Sequence, residues 1–159
     1  MKQFKFWKIF IAFFLLTSFH QTERNKYIVE ITFRNWLDQP FVRYSLNEKS
    51  IKVETSDYNS FAKTKVVYTR NLSNHTSDSI YTYLSKLDID TTKANCNNPV
   101  LDGLWIDYNI KGQNIKSVHF ITHSCITNKS SDLIKLAERQ ILKKQFTYTE
   151  IKTTSNNNE

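Results

Sequence analysis

Tyr27, Val29, Ile31 and Phe33 fall on one side of an extended chain, and Ile28, Glu30, Thr32 and Arg34 on the other. This period-two alternation predicts a half-buried strand, because successive side chains of an extended backbone point to opposite faces. Asn35-Trp36-Leu37-Asp38-Gln39-Pro40 breaks the pattern. Phe41–Leu46 and Ser50–Glu54 read as two further strands joined by the polar link Asn47-Glu48-Lys49. After the turn-like Asp57-Tyr58-Asn59-Ser60, Phe61–Arg70 reads as a fourth, with Ala62, Val66 and Tyr68 expected on one face and Lys63, Lys65, Val67 and Thr69 on the other. Over Leu72–Leu87 the period changes: Ile80, Tyr83, Leu84 and Leu87 make a helical stripe. Ser73, Thr76 or Ser77 can cap its start, since a hydroxyl there accepts from a free N–H of the first turn.

A polar connection, 88–99, leads to the stretch around which the rest is expected to organise. Leu104, Ile106, Tyr108 and Ile110 alternate with Trp105, Asp107 and Asn109; Lys111-Gly112-Gln113-Asn114 supplies turn chemistry, with glycine free to take positive φ; Ile115–Thr122 runs back. If Lys111 pairs with Asn114, Asp102 faces His123, Ile106 faces His119, Trp105 faces Phe120, Asp107 faces Val118 and Asn109 faces Lys116. Large apolar residues on both faces predict a central pair of strands covered on both sides. Ser130-Ser131-Asp132 then caps a second helix of about four turns, with Leu133, Ile134, Leu136, Ala137, Ile141, Leu142 and Phe146 on its buried side. Thr147–Lys152 reads as a short strand or a frayed end, and the polar 153–159 as a disordered tail. The expected fold is α+β, in the order β-β-β-β-α-β-β-α: an antiparallel sheet of about six strands with two helices packed on one face and the other face partly wet. It occupies a single domain, 27–152.

The first 20 residues break from this composition. Lys2, Lys5 and Lys8 precede the apolar run Ile9–Phe19. A cationic start followed by a short apolar run describes an export signal, or a retained N-terminal membrane anchor if it is not cleaved. Both place the domain outside the cytoplasm, in the periplasm or cell envelope. The leader also holds three of the 22 cations, which leaves 19 Lys and Arg against 15 Asp and Glu beyond it, a mild and scattered positive balance. Two glycines in 159 residues is low, since average usage would give about eleven. Glycine-rich phosphate loops and dinucleotide fingerprints are therefore missing, and no cofactor is expected. No basic stripe accompanies the aromatic residues, so nucleic acid is not an expected partner.

Two cysteines in an exported chain suggest a disulfide, and the expected hairpin register puts Cys96 and Cys125 at its open end. Asp102, His123 and Cys125 come near enough to raise a nucleophilic site, the basis of an alternative reading as a small hydrolase. No glycine elbow accompanies them, and the disulfide is the simpler use of Cys125. His119 and His123 are four apart, about 13 Å along a strand, too far to share one metal ion. Trp105 and Phe120, with Asp107 beside them, form a candidate stacking platform for a sugar, a base or a peptide. Asn71, Asn74 and Asn128 each begin a glycosylation acceptor triplet, relevant only in a eukaryotic secretory route.

The segment Pro99-Val-Leu-Asp-Gly-Leu-Trp-Ile-Asp-Tyr-Asn-Ile110, with the helix from Leu72-Ser73 before it and an amphipathic helix after it, resembles small exported bacterial proteins of unknown function. Those place an Asp-Gly-x-x-Trp-like hairpin between two helices; here one residue fewer separates Gly103 from Trp105. The resemblance spans roughly 68–146 and implies no activity; His123-Ser124-Cys125 departs from it. The expectation is a non-enzymatic, exported or membrane-anchored binding domain that meets a protein or small-molecule ligand in the envelope, touching membrane only through residues 1–20. An inhibitor or immunity-type protein with one protein partner is the other alternative.

Overall fold

The computed structural model describes residues 25–34, 41–57, 60–89, 104–123 and 128–148. Six strands form one sheet: β1 (Tyr27–Arg34), β2 (Val42–Asn47), β3 (Ser50–Asp57), β4 (Ser60–Asn71), β5 (Trp105–Gly112) and β6 (Ile115–His123). Helix α1 (Asn74–Ser85) separates β4 from β5, and α2 (Asn128–Glu138) follows β6. Every neighbouring pair is antiparallel, in the order β4-β3-β2-β1-β5-β6. The fold is α+β in the expected sequence of elements. The expected leader, residues 35–40, the cysteines Cys96 and Cys125, Asp102 and the 153–159 tail lie outside the described residues.

The core is the set of alternating apolar positions. Tyr27, Val29, Ile31 and Phe33 of β1, Val42, Tyr44 and Leu46 of β2, Ile51 and Val53 of β3, and Ile106, Tyr108 and Ile110 of β5 are all buried. Onto this face α1 lays Ile80 and Leu84, and α2 lays Leu133 and Ala137. Apolar burial at about 25 cal/mol per Å² drives this association. Ser73 is the N-cap of α1: its hydroxyl accepts from the Thr76 N–H at 3.2 Å. The β2–β3 turn is set by the Asn47 side chain, whose Oδ1 accepts from the N–H groups of Lys49 and Ser50, the way an Asx side chain imitates a turn.

Several expectations fail for identifiable reasons. The β5–β6 hairpin is not the centre of the sheet: β1 and β2 are, and β6 is an edge strand. Its register also differs. Trp105 pairs with His123, Ile106 with Thr122, Asp107 with Ile121, Tyr108 with Phe120 and Asn109 with His119. The loop residues are Gln113 and Asn114, because Gly112 pairs with Ile115. Asn114, not a glycine, takes the left-handed conformation, at φ 55°. Gly112 serves a different need: a Cβ there would meet the Lys26 carbonyl oxygen at 2.9 Å and Ile115 Cδ1 at 2.7 Å. The start of β1 crosses at this point, where the Gln113 N–H donates to the Lys26 carbonyl at 2.9 Å. A bulge completes the shift. Between the Gly112–Ile115 and Ile110–Val118 pairs, Lys116 and Ser117 oppose Lys111 alone. Ile115 and Val118 can therefore both be buried although three residues apart.

A second bulge sits in β4. Val53 pairs with Tyr68 but Glu54 with Val66, which leaves Val67 as the extra residue. Val66 is thus turned away from Tyr68 and is 49 % exposed, while Val67 and Tyr68 both pack on the core. Helix α2 also departs from expectation. It begins at Asn128, with Ser130 completely buried instead of capping, and ends at Glu138 well short of four turns. The Arg70 guanidinium donates to the Gln140 carbonyl at 3.0 Å, and the Leu142 N–H donates to the Tyr68 hydroxyl at 3.2 Å. Both partners come from β4, so the sheet supplies the hydrogen bonds that another helical turn would have made. Ile141 stays buried, Leu142 is thrown outward, and Phe146 packs from a short 3₁₀ turn, Lys144–Phe146, onto Tyr68.

Candidate functional site

The face of the sheet opposite the helices is read directly from strand order and register. One row across it runs Val66, Glu54, Arg43, Thr32, Asp107, Ile121; the next runs Thr69, Lys52, Ser45, Glu30, Asn109, His119. In the row beyond Thr32 and Asp107, Arg34 pairs with Trp105. The face is therefore polar and charged at its centre, and its side chains bond across the strands. The Asn109 amide donates to Glu30 Oε2 at 2.9 Å, and His119 Nε2 lies 3.0 Å from Asp107 Oδ1. Arg43 Nε donates to the Thr32 hydroxyl at 3.3 Å, and its guanidinium stands 3.8 Å from Glu54 and over the Phe41 ring. The Arg34 side chain makes no hydrogen bond or ion pair with the other described residues, and Arg34 is exposed.

These groups surround a depression of about 180 Å³ lined by Glu30, Thr32, Arg34, Arg43, Asp107, Asn109 and His119. A water molecule occupies about 30 Å³ in the liquid, and pockets for drug-sized ligands run from about 300 Å³ upward. The depression thus has the size of one inserted side chain. Its formal charges nearly cancel, with two guanidiniums against Glu30, Asp107 and the adjoining Glu54. Every long side chain in it except Arg34 is held by a neighbour, so little rotamer freedom would be lost on contact.

The sequence-derived platform is only half formed. Trp105 and Asp107 share this outer face, but Phe120 does not. Phe120 pairs with Tyr108 on the core side and stacks on its ring, with centroids 4.5 Å apart and planes at 6°. The shifted register is the cause. It also pairs His123 with Trp105 instead of Asp102; Asp102, Cys96 and Cys125 lie outside the described residues. His119 pairs with Asn109 instead of Ile106 and meets Asp107, and no three His, Cys, Asp or Glu side chains converge among the described residues. Arg43, Thr32, Arg34, Glu30 and Asn109 belong to no motif that marks them as site residues in the sequence. The alternation of β1 already put Glu30, Thr32 and Arg34 on its outer face; what it lacked was the identity of the neighbouring strands.

Two polar clusters lie on the helix side. The Tyr44 hydroxyl donates to Glu138 Oε1 at 3.0 Å and accepts from the Tyr148 N–H. Burial, and then the Glu138 carboxylate, push the Tyr44 phenol far above its ordinary range. Burial also raises the Glu138 carboxyl, against the Tyr44 hydrogen bond that lowers it. Further along, the Tyr108 hydroxyl is buried without a partner in hydrogen-bond geometry. Burial pushes it up to about 12, moderated by the hydroxyls of Ser130 and Thr122.

No family model, curated protein or solved structure matches the chain. No helix among the described residues is long and apolar enough to cross a membrane.

Proposed function

We propose that this is a non-enzymatic interaction module of the cell envelope, exported or anchored through residues 1–20, which binds a protein partner with the polar face of its sheet. The observation that carries this reading is the set of cross-strand hydrogen bonds, Arg43–Thr32, Asn109–Glu30 and His119–Asp107, around a depression of side-chain size. A small ligand would find too little enclosed volume there. A polypeptide could insert one side chain while its neighbours meet the alternating charges of the two rows, an arrangement that favours specificity and orientation more than raw affinity. The same groups are poorly arranged for catalysis. His119 is spent on Asp107, and the hydroxyl in the lining, that of Thr32, is 5 % exposed and already accepts from Arg43. An activated nucleophile needs a base within reach.

The test is a comparison of baits. The full chain and its Asn109→Lys variant, both tethered, are exposed to detergent-solubilised envelope extract from the native host. The expected result is one stoichiometric protein retained by the parent bait and lost from the variant, with circular dichroism unchanged. Equal recovery by both baits, or recovery by neither, overturns the assignment of binding to this face.

A further inference from the structure

On the opposite side of the molecule, where α2 gives way to the C-terminal turns, a groove of about 510 Å³ has an apolar floor and a cationic rim. Ile141 and Leu142 supply the apolar part of its lining, and Lys135, Arg139 and Lys144 the cationic part. Leu142 is 70 % exposed, the most exposed large apolar side chain among the described residues. It is exposed because the α2 pattern is cut off: a leucine spaced for the buried stripe of a longer helix is turned outward once β4 supplies the terminal hydrogen bonds. Arg139 and Lys144 make no side-chain ion pair with the other described residues, and Lys135 has only the exposed Asp132 at 3.9 Å. The one carboxylate in the lining, Glu138, is drawn toward the sheet by the Tyr44 hydroxyl. Cations near a helix C-terminus complement its dipole. That accounts for Lys135 and leaves Lys144 and the exposed leucine beyond the helix end without a purpose.

We infer that this groove is a second docking site, for an acidic peptide segment that seats one apolar side chain against Leu142 and Ile141 and places carboxylates on Lys135, Arg139 and Lys144. The volume, nearly three times that of the depression on the sheet face, accommodates a large side chain with its flanking backbone. Apolar side chains set among three cations favour a peptide that carries both an apolar side chain and carboxylates over an anionic group alone. The site is independent of the sheet face, so either can fail alone.

The test uses the full chain in neutral detergent micelles and a fluorescein-labelled peptide of aspartates and glutamates flanking a central phenylalanine, followed by anisotropy. Saturable binding at 50 mM salt is expected, weakening steeply toward 300 mM as screening shortens to well under about 10 Å. Arg139→Glu with Lys144→Glu is expected to lower affinity by roughly tenfold or more. Leu142→Ser should lower it several-fold, as should replacing the phenylalanine by serine in the peptide. Asn109→Lys should leave it unchanged. No binding at 50 mM salt, or equal binding to the charge-reversed variant, overturns the proposal. So does complete displacement of the peptide when a small fraction of phosphatidylglycerol is mixed into the micelles, which would assign the groove to lipid headgroups.

Discussion

Phe120 separates two accounts of the hairpin at a single residue. As half of an exposed platform it would be dispensable for stability. Stacked on Tyr108 and 7 % exposed, it is part of the core. Phe120→Ala is therefore expected to cost about 3 kcal/mol or more, the usual penalty for emptying a buried aromatic site, measured by denaturant unfolding. A loss below about 0.5 kcal/mol, the range of surface substitutions, would return Phe120 to the surface. Gly112 is a second residue whose role the structure changes. Its backbone is ordinary, so a side chain there is opposed by space and not by φ. Ile115 Cδ1 can rotate away, but the Lys26 carbonyl belongs to the β1 entry and is fixed by Gln113. Gly112→Ala should destabilise by about 1–3 kcal/mol, the overpacking range, with the loss seen in thermal melts. An unchanged melting temperature would show that β1 does not pass this closely.

The start of α1 and the end of α2 show a local cause and a tertiary one. The start of α1 is local: Ser73 has extended φ and ψ and binds the Thr76 N–H. Ser73→Ala should remove about 1 kcal/mol of stability, as loss of such a cap generally does, while Ser73→Asp should restore it; equal stability of all three proteins in urea would refute the cap. The end of α2 is not local. Nothing in Glu138-Arg-Gln-Ile-Leu142 stops a helix, and its apolar spacing invites continuation. Arg70 and Tyr68 stop it from β4. The bulges at Val67 and at Lys116-Ser117 belong to the same class, since each is fixed by what the neighbouring strand pairs with.

At the scale of the molecule, Tyr44, Glu138 and Tyr148 join the centre of the sheet, the end of α2 and the chain beyond it through one hydroxyl. Phe33 lies against both tyrosines, stacked on Tyr148 with centroids 4.3 Å apart and edge-on to Tyr44. Burial raises the Glu138 carboxyl, so the folded state holds this proton more tightly than the unfolded chain. The resulting stability is fully present below the unfolded carboxyl's range and is lost as pH rises through the higher folded value. Glu138→Gln keeps an acceptor for the Tyr44 hydroxyl and carries no charge. The variant should match or exceed the parent in melting temperature at pH 7, with the difference closing as pH falls toward the ordinary carboxylate range. A variant that is less stable at pH 7 by several degrees would mean that the ionised carboxylate is the favoured partner of Tyr44. The same linkage shows why this cluster was invisible in the sequence: its members are 94 and 104 residues from Tyr44, and no local pattern connects them.

By itself, the sequence determined the number, type and order of the elements, because these follow from periodicity and capping within a few residues. It determined which side of β1 and β5 is apolar, and therefore that the fold is a sheet with one covered face. Only the tertiary structure decided the rest. Which strands are neighbours, and in what register, depends on contacts between segments distant in the chain. A slip of the turn by one residue changed the partners along β6, and the one-residue bulge turned Phe120 from the outer face to the core. The same choices brought Glu30, Thr32, Arg34 and Arg43 from β1 and β2 beside Asp107, Asn109 and His119 from β5 and β6. Alternation assigns each side chain to a face; only the order of the strands assigns it to neighbours.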